Sequence, residues 1–269
     1  MVLELFILIC VGACAGLLSG LFGVGGGALI VPALIFTLDH FNLGGPWVTH
    51  IAIASSLATI IGTSLSSSWN HNKNHNVEWS ILKRMVLGCI IGTLGGAYIT
   101  PYIPGVGLKW IFTIFLIYTG GKFLFKTNNI TKSQPTAISL NNSIYVIVGG
   151  LIGIFAALVG VGGGVLVVPF LKKCGINMRK AIGTSAAFTL PVAFGGAIGY
   201  IISGWNIKGL PEYSFGFIYL PAVITIMLAS IPMAKVGVQI GQKLSLTKLV
   251  KFFGGLLLLI ALKLISSSL

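Results

Sequence analysis

Gly23-Val24-Gly25-Gly26-Gly27-Ala28-Leu29-Ile30-Val31-Pro32 returns as Gly160-Val161-Gly162-Gly163-Gly164-Val165-Leu166-Val167-Val168-Pro169, at a constant offset of 137 residues. Each copy interrupts an apolar segment, 3–38 in one case and 143–171 in the other. A single helix crosses ~30 Å of hydrocarbon with about 20 residues, so both segments are too long for one tidy span. Glycine admits the left-handed backbone that ends one helix and starts another. Irregular backbone at membrane depth survives only where it is buried in protein or lines a cavity. The two breaks are therefore expected in the interior, near the axis relating two halves of the chain.

Composition supports that setting. The 269 residues are 55% hydrophobic and 8% charged, and mean hydropathy is +1.00; ordinary soluble domains carry about 25% charge. The chain reads as an all-α polytopic membrane protein. Seventeen Lys and Arg against four acids (Glu4, Asp39, Glu78 and Glu212) give a net charge of +13. The basic residues stand singly between apolar runs, without the clustered basic face of a nucleic-acid binder, so no nucleic-acid partner is expected. Cys10, Cys14, Cys89 and Cys174 form no CxxC pair and read as reduced packing residues. Val11-Gly12-Ala13-Cys14 looks like a lipoprotein cleavage site, but no Lys or Arg precedes Lys73, so the positive start of a signal peptide is missing.

Crossing helices are expected near 49–70, 85–103, 108–125, 181–202, 215–234 and 247–265. A second repeat signal lies at the first of these: Ile53-Ala54-Ser55-Ser56-Leu57 matches Ile182-Gly183-Thr184-Ser185-Ala186 at an offset of 129. The chain thus divides into a membrane repeat at 1–125, a polar cytoplasmic linker at 126–142 and a second repeat at 143–269. Charge decides their relative orientation, because cytoplasmic loops collect Lys and Arg. If each glycine-broken segment enters and leaves on one side, 14 basic residues fall inside and three (Lys109, Lys208 and Lys263) outside. If 143–171 crosses once, the count becomes 8 against 9. The first arrangement gives two inverted-topology repeats, each a glycine-broken, re-entrant hairpin plus three transmembrane helices.

The duplicated Gly-Val-Gly-Gly-Gly motif with its following proline resembles the sulfite exporter TauE/SafE family of membrane permeases. The helix starts Ala52-Ile53-Ala54-Ser55-Ser56-Leu57 and Ala181-Ile182-Gly183-Thr184-Ser185-Ala186 are similar to the family's pattern, as are Asn76-Val77-Glu78-Trp79 and the closing Gly-Leu-Leu-Leu-Leu run at 255–259. The likeness covers essentially the whole chain. It departs from the pattern at Ser55, Ala186, Asn76 and Glu78, where Thr, Leu, Gly and Asp are usual. It implies a secondary transporter, an exporter, of sulfite or a related sulfur-containing or organic anion, working by alternating access in the cytoplasmic (inner) membrane. A passive anion channel and a non-transporting membrane scaffold remain open as alternatives.

The residues supply a physical reason for an anion. A helix N-terminus carries roughly half a positive charge and unpaired N–H groups. Gly25, Gly26 and Gly27 precede one half-helix, and Gly162, Gly163 and Gly164 precede the other, so two such ends converge on a midplane site. Ser55, Ser56 and Thr59 of the first repeat and Thr184 and Ser185 of the second complete the expected substrate-binding set. Packing glycines and helix-bonded hydroxyls are the plainer readings of the same residues. Ser56, Thr59, Thr63, Ser66 and Asn70 share one helical face, which suits a polar path toward the cytoplasm; the partner helix offers Thr189 and Pro191. No acid falls mid-membrane, which argues against a carboxylate proton relay. His50, His71 and His75 are expected at the interfaces, bonded to water. A metal at His71 and His75 lacks a third ligand, Arg179 and Lys180 lie at the cytoplasmic mouth, and no catalytic group, metal or cofactor is expected.

Overall fold

The computed structural model describes residues 2–125, 141–243 and 246–266. The expected linker at 126–142 lies outside them up to residue 140. Ten α-helices are described: α1 (Val2–Phe22), α2 (Gly27–His40), α3 (Val48–Lys73), α4 (Trp79–Ile99), α5 (Gly105–Phe125), α6 (Asn142–Val159), α7 (Gly164–Lys173), α8 (Met178–Gly204), α9 (Leu220–Lys243) and α10 (Leu246–Ser266). Among the described residues, α1, α3, α4, α5, α6, α8 and α9 are long and apolar enough to cross a membrane, so the protein is an all-α polytopic membrane protein.

The sequence placed two helix starts too late or too early. α4 begins at Trp79 rather than 85, because Lys83 and Arg84 lie on the exposed face of its first turns, where long basic side chains reach polar surroundings without ending a helix. α9 begins at Leu220 rather than 215. Before it, β1 (Ser214–Phe215) and β2 (Ile218–Tyr219) form a small antiparallel hairpin with Ser214 opposite Tyr219. Its turn holds Gly216 at φ 58°, and Tyr213 ahead of it is at φ 62°, which no continuing helix accommodates.

Both glycine runs break the chain as expected. Gly23, Gly25 and Gly26 have φ of 66°, 83° and 81°, and Gly160 and Gly163 are both at 71°. α2 has 14 residues and α7 has 10, so at 1.5 Å per residue they are ~21 and ~15 Å long, too short to cross. Each turns back along the helix before it. Ile7 near the start of α1 shares a groove with Phe36 and His40 at the end of α2, and the Tyr145 ring of α6 lies edge-on to Phe170 of α7 at 6.1 Å.

The long helices pair across the two halves. α1 packs along α9, and α6 packs along α4; α3 and α8 meet at the centre, and α5 meets α10. The first two seams use glycine stripes spaced by four. A Cβ on Gly12 would stand 2.6 Å from the Ile226 carbonyl oxygen, Gly16 abuts Ser230, and Gly20 abuts Ala234. On α4, Gly88, Gly92 and Gly96 meet Val146, Gly150 and Ile154 in the same way. Small residues at this spacing let backbones approach, and dispersion then holds helices together where lipid removes the hydrophobic drive. Apolar side chains such as Leu87, Ile91, Ile114, Ile147, Leu151, Ile224 and Leu228 face outward, whereas α3 and α8 are largely enclosed.

Candidate functional site

The two breaks touch. A Cβ on Gly27 would stand 3.0 Å from Val161 Cα and closer still to the Gly160 carbonyl oxygen. Its counterpart Gly164 repeats the contact in reverse, with Val24 Cα at 2.7 Å and the Gly23 carbonyl oxygen nearer. Gly25 lies between Ile60 of α3 and Thr189 of α8, which would stand 2.9 and 2.8 Å from its Cβ. Only glycine fits a crossing this close.

Ending α1 and α6 inside the protein leaves their last carbonyls without helical partners. The hydroxyls of α3 and α8 take up several of them. Ser56 donates to Gly160 O at 2.9 Å, and Ser185 donates to Gly23 O at 3.0 Å and Gly164 O at 3.2 Å. Thr189 donates to Gly162 O at 2.7 Å and lies 3.4 Å from Gly23 O. The break in one half is thus held by a serine from the other half, in both directions. The first member of each hydroxyl pair also works across the halves. Ser55 accepts from the backbone N–H of Tyr219 at 2.9 Å, immediately before α9, and Thr184 accepts from that of Glu78 at 2.8 Å, immediately before α4.

Of the expected substrate-binding set, the structure gathers Gly25, Gly26, Gly27, Ser55, Ser56, Gly162, Gly163, Gly164, Thr184 and Ser185 into one buried region. Thr59 is buried too, but its hydroxyl donates back to Ser55 O at 2.8 Å. Neither half-helix has a side-chain cap: Gly26 precedes α2 and Gly163 precedes α7. Two uncapped, partly positive N-termini therefore lie within an enclosed core, and the serine and threonine hydroxyls beside them are engaged with backbone. The arrangement is closed, with these hydroxyls already bonded to backbone.

The sulfite exporter TauE/SafE family model matches residues 8–264. The chain belongs to that family. It is 36% identical over 260 residues to a probable membrane transporter protein of Haemophilus influenzae, covering 96% of this chain and 97% of the relative. A probable membrane transporter protein of Methanocaldococcus jannaschii is 28% identical over 244 residues, covering 90% and 88%. No solved structure matches significantly. The chain is accordingly a multi-pass membrane transporter rather than an enzyme.

Several sequence expectations around this core need correction. His50 is buried, not water-bonded at an interface; its Nε2 lies 3.0 Å from Thr100 O and 3.1 Å from Ile103 O, with Phe217 stacked on the ring at 5.4 Å. His71 is also buried, with Nε2 3.1 Å from Gly20 O. His75 is exposed, but α3 ends at Lys73 and His75 has φ 54°, so the pair does not share a helical face. The polar stripe of α3 serves the seam with α9: Thr63 meets the Ser230 hydroxyl at 2.9 Å and Ser66 donates to Ile231 O at 2.9 Å, while Asn70 bonds back to Ser66 O. Lys180 pairs with Glu78, the single ion pair among the described residues. Thr189, bonded to Gly162 O, and Ser230, bonded to Thr63, are buried hydroxyls outside the expected substrate-binding set. Thr189 lies four residues after Ser185, and that spacing was the available signal; Ser230 left none.

Proposed function

We propose that the chain is a secondary transporter that exports a small sulfur-containing or organic anion, of which sulfite is the first candidate, by alternating access between two inverted repeats in the cytoplasmic membrane. One observation carries this reading: the reciprocal bonding of Ser56 to Gly160 and of Ser185 to Gly23 across the contacting breaks. Release of Ser56 and Thr189 frees the second break while Ser185 still holds Gly23 O, and release of Ser185 frees the first while Ser56 and Thr189 still hold Gly160 O and Gly162 O. That is the physical requirement for opening one side at a time. An anion entering the freed side finds unpaired N–H groups, a partial positive charge and a liberated hydroxyl.

The reciprocal pairing of α1 with α9 and of α6 with α4 supports the inverted repeat, and the turned-back α2 and α7 support the re-entrant hairpins that the 14-to-3 charge count favours. Counterflow of radiolabelled sulfite in proteoliposomes tests the function. Saturable uptake driven by unlabelled internal sulfite, abolished in Gly26→Leu and Gly163→Leu variants that still assemble in the membrane, is the expected outcome. Unsaturable flux would indicate a pore, and unchanged flux in both variants would remove the site.

A further inference from the structure

The internal repeat makes His71 conspicuous. At the 129-residue offset its counterpart is Tyr200, and the two side chains do the same job. Tyr200 donates its hydroxyl to Ala157 O at 3.0 Å, and His71 Nε2 lies 3.1 Å from Gly20 O; Ala157 and Gly20 are themselves related by the 137-residue offset. Each contact secures the last turn of the long helix just before its break. A tyrosine suffices for that task, yet the first repeat uses a histidine, which brings a second nitrogen. A carbonyl oxygen only accepts, so Nε2 carries the hydrogen, and in the neutral ring Nδ1 is an acceptor. It is buried and has no partner among the described residues, although an unsatisfied buried polar atom costs about 1–3 kcal/mol.

His71 lines a cleft at the end of the molecule where α3 finishes and α8 starts. Asn76, Arg179 and Gln242 share the lining, together with Gly20 of α1. Both halves of the chain thus contribute to it. Arg179 is exposed, and one nitrogen, Nη2, donates to Gln242 O at 3.4 Å, leaving the rest of its donor fork for a ligand. The nearby Glu78 carboxylate is taken by Lys180, so it does not compete for Arg179.

We infer that this cleft is a second anion site, a vestibule selective for small oxyanions that still carry one proton. Arg179 takes the unprotonated oxygens through its planar fork, Asn76 adds an amide, and the ion's O–H donates to Nδ1 of His71. The assignment rests on the anion-transport reading and extends it, because it names the mouth at which the ion is received and its protonation state. Nδ1 is shielded from water here, so the ion reaches it as the α1, α8 and α9 ends part. That movement strains the His71–Gly20 contact and so links occupancy of the vestibule to the first break.

Isothermal titration calorimetry on the full chain in detergent, with sulfite and sulfate near neutral pH, tests the inference. Sulfite is partly protonated there and sulfate is not. Sulfite should bind the wild-type chain at least roughly tenfold more tightly than sulfate. Arg179→Gln should weaken both ions; Arg179 is exposed, so this variant folds. His71→Tyr should keep the Gly20 contact, as Tyr200 keeps Ala157, and therefore the melting temperature, but lose the preference for sulfite over sulfate. Wild-type affinity for sulfite in both variants would place the binding site elsewhere and overturn the vestibule alone. Equal wild-type affinity for the two ions would overturn the protonated-ligand assignment. Failure of the wild-type chain to bind sulfite at all would overturn the vestibule and the sulfite reading together.

Discussion

Replacing Ser56 and Ser185 by alanine in turn should produce unequal losses of stability, and the inequality follows from the geometry. Ser56 is the one described side chain that donates to Gly160 O, so its removal orphans that carbonyl in a core without water. Gly23 O is better insured, because Thr189 Oγ1, whose single hydrogen bonds Gly162 O, lies 3.4 Å away and can share that hydrogen with Gly23 O when Ser185 is lost. Orphaning a buried carbonyl costs about 1–3 kcal/mol, while hydroxyl bonds inside membrane proteins average nearer ~0.6 and reach ~1.7 kcal/mol. Ser56→Ala should therefore cost ~1.5 kcal/mol and Ser185→Ala ~0.5 kcal/mol, within the limits set by those two estimates. Equilibrium unfolding in mixed micelles reads the difference, with Ser68→Ala as a control, since Ser68 bonds only within its own helix, to Leu65 O. Combining Ser185→Ala with Thr189→Val should then remove the insurance and raise the cost above that of Ser56→Ala, because Gly162 O loses its hydroxyl donor as well. Equal losses at Ser56 and Ser185, or a double variant no worse than Ser185→Ala alone, would refute the bonding pattern on which the closed state depends.

Gly27→Ala and Gly164→Ala should each destabilise by ~1–3 kcal/mol and suppress flux, because their methyls meet backbone of the opposite break; Gly95→Ala and Gly121→Ala, whose methyls meet nothing within 4 Å, should be neutral or stabilising by up to ~1 kcal/mol. Thermal melts of the four variants check both halves of that statement. Gly16→Leu should disrupt the α1–α9 seam, where a Cβ already meets the Ser230 backbone, and abolish monodisperse elution on size exclusion. Glu78→Gln should change stability by under ~1 kcal/mol, since the pair with Lys180 is partly exposed, and a melt repeated at high salt should show the difference shrink.

The fold was legible where its signal is local or duplicated. Glycine runs that must adopt positive φ, the prolines after them and the long apolar helices all follow from chain chemistry. The buried cluster around the two breaks was legible as a group, because the 137- and 129-residue offsets pick out the same positions twice. What the hydroxyls touch was not. Ser56 and Ser185 sit 104 and 162 residues from the carbonyls they serve in the opposite half, and no periodicity within one helix encodes such a partner. His50 and His71 read as interfacial because they lie near helix ends, yet carbonyls freed at Thr100, Ile103 and Gly20 draw them inward. The stripes Gly12, Gly16, Gly20 and Gly88, Gly92, Gly96 went unread in the sequence, and which helix each one faces depends on how the halves interlock.

Alternating access is tested most directly by cysteine labelling at the two serines. Cys10, Cys14, Cys89 and Cys174 are all free thiols and are first replaced. Ser56→Cys and Ser185→Cys variants are then challenged with a membrane-impermeant maleimide in right-side-out and inside-out vesicles, with and without sulfite. The account predicts that each position is labelled from one side at a time and that sulfite shifts the balance between sides. Labelling of both positions from both sides under one condition would contradict it.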